Sequence, residues 1–198
     1  TEPNETPEKA TKLTLPCEYV GRFYPRGDRD WVSFTAKKDD VYTIEVISHR
    51  LGLPTDPSLV IQQVTMSEMG ERQVKVLQVV DDSTLGFNGA NFDTRSDDPV
   101  YRFVAPADGL YEVLVRDAIS ALQDQPRNVY RLAIRKPTPD FRLVAIPENS
   151  TSGSLVRRGG RTAIRVLAFR RDGYDGDISI TVSGLPAGVT STGAVIGG

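Results

Sequence analysis

Apolar residues recur at every second position through much of this chain. The run Val41-Tyr42-Thr43-Ile44-Glu45-Val46-Ile47 is the clearest case, rich in β-branched and aromatic side chains. Such alternation marks a strand with one face in a core. Similar runs fall at 31–36, 59–64, 74–80, 101–104, 110–116 and 129–134. Turn-forming clusters separate them: Pro25-Arg26-Gly27-Asp28, Pro54-Thr55-Asp56-Pro57, Asp81-Asp82-Ser83 and Ala107-Asp108-Gly109. Helical periodicity is confined to 8–13 and 117–123, each enough for a short turn. Many short strands at this spacing predict an all-β chain, a β-sandwich or jelly roll.

The alternation resumes beyond Lys136-Pro137-Thr138-Pro139-Asp140, where two prolines make a stiff, extended connector. Strands are expected at 141–146, 162–169 and 178–182, around the turn Asp172-Gly173-Tyr174-Asp175-Gly176-Asp177. A further turn and strand start at Leu185-Pro186-Ala187-Gly188-Val189. Charge divides at the same connector. Residues 1–137 hold 17 basic and 21 acidic side chains, and 138–198 hold 7 and 5. The expected domains are therefore 1–137 and 138–198. About five strands fit the second, against seven for an immunoglobulin-like sandwich. It reads as incomplete, with an open sheet edge able to pair with another chain.

Composition narrows the function classes. At 198 residues, 39% hydrophobic and 25% charged, the chain can bury a core. Its apolar runs fall far short of the roughly 20 residues of a membrane-spanning helix. A net charge of −2 lacks the basic footprint of a nucleic-acid binder. Cys17 stands alone, which excludes an intrachain disulfide and a multi-cysteine metal site; it reads as a small buried hydrophobe. The opening TEPNETPEKA lacks a charged-then-apolar leader and begins as a mature or clipped product would. His49 is the sole histidine, and neither Gly-x-Ser-x-Gly nor His-Glu-x-x-His occurs. A non-catalytic chain is expected.

The residues best suited to chemistry are oxygen donors. Glu2, Asn4 and Glu5 lie within four positions, and Asp28 and Asp30 are two apart. Calcium takes about six to eight oxygens, and this set can supply several. The competing reading is a solvated acidic tail beside an Asp-rich turn. Asp39-Asp40, Asp81-Asp82 and Asp97-Asp98 read as solvated turn residues capping their own backbone, with Asp81-Asp82 a second place for a cation. Tyr19, Tyr24, Trp31 and Tyr174 lie near turns or strand ends, where exposed rings stack on sugars; strand aromatics more commonly pack. The tripeptide Arg26-Gly27-Asp28 and the sequons at Asn4 and Asn149 read as chance matches.

Several of these segments, in order, resemble the bacterial pre-peptidase C-terminal domain family. They are Glu2-Pro3-Asn4-Glu5-Thr6 with Ala10 and Leu13, then Gly27-Asp28-Arg29-Asp30-Trp31-Val32-Ser33-Phe34, then Asp56-Pro57-Ser58-Leu59 and Asp81-Asp82. Asp108-Gly109-Leu110-Tyr111-Glu112-Val113 and the closing Tyr130-Arg131-Leu132-Ala133-Ile134 complete the series. The resemblance covers about residues 2–136 and implies a jelly-roll β-sandwich carried as an accessory module on secreted or cell-surface bacterial proteins. It also implies calcium at Glu2, Asn4, Glu5, Asp28 and Asp30, although position 5 is Glu where the family usually has Asp. Residues 140–196 are similar to bacterial immunoglobulin-like modules, with the turn Gly184-Leu185-Pro186-Ala187-Gly188-Val189. Expected partners are other domains of the same polypeptide, a second copy at the open edge, or a polysaccharide or matrix protein. The alternative function is a carbohydrate- or matrix-binding module attached to a hydrolase outside this chain.

Overall fold

Contacts divide the chain into two compact units, Thr1–Pro137 and Thr138–Gly198. The computed structural model describes residues 3–83, 88–89, 92–122, 124–148 and 153–198. The first unit is a β-sandwich of two sheets. One holds, in spatial order, β1 (Thr11–Lys12), β3 (Asp30–Ala36), β10 (Gly109–Asp117), β5 (Pro57–Met66) and β6 (Arg72–Val80). The other holds β2 (Cys17–Arg22), β11 (Val129–Arg135), β4 (Val41–Ile47) and β9 (Val100–Val104). A short pair, β7 (Asn88–Gly89) and β8 (Phe92–Asp93), stands apart. Pairing is antiparallel except where β1 runs beside β3.

The period-2 pattern fills the space between the sheets. Val32 and Phe34 of β3, Leu59 and Ile61 of β5, and Tyr111, Val113 and Val115 of β10 are all buried. So are Ile44 and Val46 of β4, Phe103 of β9, and Tyr130, Leu132 and Ile134 of β11. Phe103 meets Tyr111 edge-on at 5.0 Å between ring centres, and Phe34 lies 5.8 Å from each. Aromatic pairs of this kind add about 0.5–1.5 kcal/mol beyond the area they bury. Gly21 serves packing as well: a Cβ there would run into the Tyr130 ring.

Three segments depart from the pattern. The stretch 8–13, expected as a helical turn, gives a single 3₁₀ turn at Pro7–Lys9 and then β1, whose Thr11 and Lys12 pair with Val32 and Ser33. Backbone bonding at the sheet edge outweighs the weak helical preference there. β2 carries little alternation to read, because its inward positions are Cys17, Tyr19 and Gly21 while Val20 faces outward at 69% exposure. Cys17 is half-buried, and its thiol is pushed up by that burial. Of the stretch 117–123, Asp117 ends β10 and Ser120–Leu122 form a 3₁₀ turn, while Gln123 lies outside the described residues. A further 3₁₀ turn, His49–Leu51, follows β4.

The second unit pairs β12 (Asp140–Pro147) with β13 (Ile164–Arg171), and β14 (Ile178–Ile180) with β15 (Ala194–Ile196). Four strands are seen among its described residues where about five were expected, and Val182 lies outside β14 at 46% exposure. Ile178 is its one fully buried apolar residue among those described. Phe141 packs on Tyr174 at 5.0 Å, and the Arg170 guanidinium stands 5.5 Å above the same ring. Arg170 also donates to the carbonyls of Gly176 and Gly197, tying the two hairpins together.

Candidate functional site

Two of the calcium-type donors, Asn4 and Asp30, meet where the N-terminal segment is laid on the start of β3. The Trp31 N–H donates to the Asn4 carbonyl at 2.9 Å, and β1 continues the contact in parallel pairing. Asp30 shares its face of β3 with Val32, so the pleat sends its carboxylate inward, where it is 1% exposed. Asp28 lies in the preceding turn, which Gly27 allows with a φ of +74°. Its carboxylate accepts the backbone N–H groups of Tyr24 at 3.2 Å and Arg29 at 2.9 Å.

Asn4 is fully buried, and its Nδ2 donates to Asp30 Oδ1 at 2.8 Å. The Tyr130 hydroxyl donates to Asp30 Oδ2 at 2.6 Å across the sandwich. Asn4 Oδ1 is buried with no hydrogen-bond partner. Burial pushes the Asp30 carboxyl above its ordinary range; the bonds from Tyr130 and Asn4 pull against that rise, and the charge of Glu5 adds to it. Burial and the Asp30 charge push the Tyr130 phenol upward, so it remains a donor. Thus Asn4 and Asp30 are in contact, Asp28 is buried in the adjoining turn, and Glu5 is exposed within electrostatic reach. Glu2 lies outside the described residues, as does the sequon at Asn149. Tyr130 was not singled out as a site residue in the sequence, where it reads only as one apolar position of a closing strand.

The donor set suits a hard cation. Asn4 Oδ1 is an unbonded buried oxygen, and an ionised Asp30 oxygen that accepts one hydrogen bond keeps a further lone pair. Carboxylate and amide oxygens are the ligands calcium prefers. Of the expected donors, Asn4 and Asp30 are the pair in contact and could offer oxygens to such an ion.

A second constellation gathers at the turn after β4. Asp98, fully buried, accepts the N–H groups of Ser48, His49 and Arg50 at 2.7–2.9 Å and the Arg50 Nε at 2.8 Å. Desolvation pushes its carboxyl up, but those bonds outweigh it and hold the group below its ordinary range. His49 Nδ1 lies 3.5 Å from Ser96 Oγ, and Nε2 lies 3.8 Å from Asp97 Oδ2. Both are longer than an ordinary hydrogen bond, and Ser96 Oγ also accepts the Asp98 N–H. The three residues frame the turn that follows β4. A cleft of about 490 Å³ beside them is lined by His49, Thr55, Asp56, Asp97 and Ile119 among others.

The Asp39-Asp40 pair takes a structural place. Asp40 accepts the Lys37 N–H and pairs with Lys136 at 3.0 Å, while Asp39 occupies the turn with a φ of +66°. Of the four aromatics weighed for sugar stacking, Tyr24 is 43% exposed. Tyr19, Trp31 and Tyr174 are half-buried, with Tyr19 6.3 Å from Tyr130 and Tyr174 5.0 Å from Phe141.

No family model matches the chain, and no curated protein matches it. Among solved structures it is similar to the pre-peptidase C-terminal domain of a collagenase from Bacillus anthracis. Identity is 14% over 68% of this chain and 99% of that one, with a TM-score of 0.42. It is also similar to CorA, a surface-associated copper-binding protein of Methylomicrobium album BG8. There identity is 9% over 63% of this chain and 96% of that one, with a TM-score of 0.37.

Proposed function

We propose that this chain is a non-catalytic, extracellular accessory segment of a larger secreted or cell-surface protein, and that calcium locks its N-terminal segment onto the sandwich. The observation that carries this reading is the buried Asn4–Asp30–Tyr130 network, in which Asn4 Oδ1 stands without a partner. A buried carboxylate next to an unbonded amide oxygen is an arrangement a divalent cation stabilises and an apolar core does not. The open edges of the second unit's two-stranded sheets suit pairing with other domains of the same polypeptide or with a second copy. The order of sequence motifs over residues 2–136 supports the accessory role. Among the described residues, no helix is long and apolar enough to cross a membrane.

The test is thermal unfolding and limited proteolysis with calcium and with chelator, on the parent chain and on Asp28→Asn and Asp30→Asn. Calcium at a hundredfold excess over its dissociation constant should stabilise the parent by about 2.7 kcal/mol. It should also protect the peptide bonds before Leu13. Both effects should shrink in the two variants. Protection of that segment that is the same with calcium and with chelator would overturn the reading.

A further inference from the structure

The antiparallel pairing of β5 with both β6 and β10 brings three strand ends to one margin of the five-stranded sheet. Leu59 pairs with Val80 on one side, and Pro57 pairs with Asp117 on the other. The residue preceding β5 is Asp56, and the two following β6 are Asp81 and Asp82. One carboxylate oxygen from each of these three lies within 4.8 Å of the others. The centre of an equilateral triangle of that edge is about 2.8 Å from each corner, close to the 2.3–2.6 Å of a calcium–oxygen bond. Small side-chain rotations close the difference, since Asp81 and Asp82 are exposed.

The fourth residue separates this margin from an ordinary acidic surface. Asp117 is only 4% exposed, and its Oδ1 accepts the N–H groups of Asp56 at 2.9 Å and Ile119 at 3.2 Å. Its Oδ2 is buried and has no hydrogen-bond partner. The carboxylate is thus anchored on the Asp56 backbone, and the Ala118 N–H returns to the Asp56 carbonyl at 2.8 Å. A buried carboxylate oxygen without a donor calls for a counter-charge or a ligand. Burial raises the Asp56 carboxyl, and the charges of Asp81, Asp82, Asp97 and Asp117 raise it further. At Asp82, burial and the charges of Asp81 and Asp97 act the same way, with His49 opposing them.

We propose that this margin is a divalent-cation site, with Asp56, Asp81 and Asp82 as ligands backed by the buried Asp117 carboxylate, and that its ion is calcium. Magnesium demands near-ideal octahedral geometry at 2.0–2.1 Å. A loose triangle of mostly exposed side chains suits the larger ion, with water completing its shell. The site is separate in sequence from Asn4, Asp28 and Asp30 and stands whether or not calcium binds there.

The experiment follows backbone amide resonances of the full chain as calcium chloride is added. The amides of Asp56, Asp82 and Ala118 should shift in a saturable way. In the double variant Asp81→Asn/Asp82→Asn, affinity for that response should fall at least tenfold, while any response at Asn4 and Trp31 is kept. The substitutions lie on an exposed turn, and an unchanged melting temperature in chelator would show that the fold is intact. Absence of shifts at these three amides up to several millimolar calcium would overturn the proposal. So would the same response in the double variant, or a response to magnesium and not to calcium.

Discussion

Single side chains decide the pH behaviour of the first unit, and two buried carboxylates pull in opposite directions. Asp98 is held below its ordinary range because burial is outweighed by the Arg50 side chain and by the N–H groups of Arg50, Ser48 and His49. Its stabilisation is complete above the unfolded carboxylate pKa of about 3.9 and is lost as pH falls through the depressed folded value. Asp30 is raised, chiefly by burial. Its ionised form therefore costs stability at neutral pH, and that cost disappears as the pH falls through the raised folded value toward the unfolded one. Urea unfolding in chelator should show both signs. Asp98→Asn should lose about 2 kcal/mol at pH 7, the scale of a hydrogen-bonded charge, and the deficit should shrink at acid pH. For Asp30→Asn the parent should gain on the variant as pH falls from 7. Parallel pH curves for the parent and either variant would contradict this account.

At the level of elements, β5, β6 and β10 are joined by a polar line as well as by their ladders. Glu112 of β10 is 3% exposed and accepts from Gln62 of β5 and from Arg72 of β6, each at 2.6 Å. Glu112→Leu would leave Gln62 buried without its partner and Arg72 without its counter-charge, at a cost of about 2–3 kcal/mol. Adding Gln62→Leu should recover part of that loss, with a coupling energy of about 1 kcal/mol or more between the two positions. Strictly additive losses in chemical denaturation would show that the line is not a unit. This line was invisible in the sequence, where Gln62, Arg72 and Glu112 read as polar positions of alternating strands. Strands such as β4 and β10 were legible because one face of each carries a run of apolar residues, Tyr42, Ile44 and Val46 in β4 and Tyr111, Val113 and Val115 in β10. β2 was not, since an edge strand with Cys17, Tyr19 and Gly21 inward has no hydrophobic stripe to show. Asn4, Asp28 and Asp30 were legible as oxygen donors from their types and spacing. Tyr130 and Asp117 were not, because their partners come from 100 and 61 positions away.

Across the whole molecule, the two units differ in how much apolar surface they hide. The first closes a continuous core from Phe23 to Ile134, with most of its residues at 2% exposure or less. In the second, β12 and β13 are exposed or half-buried along their length, and Ile178 alone among the described residues is fully buried. Its strands form two separate pairs, and isolated two-stranded sheets are marginal in water. Arg170, reaching the Gly176 and Gly197 carbonyls, is the tie between the hairpins, and a surface-accessible tie of hydrogen bonds adds little against chain entropy. Local opening free energies follow buried apolar contact, so the two units should open on different scales. Amide hydrogen exchange on the full chain should show β12 to β15 exchanging about a hundredfold or more faster than β3, β4, β10 and β11. Arg170→Ala should speed exchange in β14 and β15 further while leaving the first unit unchanged. Protection of β12 to β15 equal to that of the first unit in dilute solution would show that the second unit closes a core of its own. Protection that rises with protein concentration would instead identify a second copy pairing with its open edges.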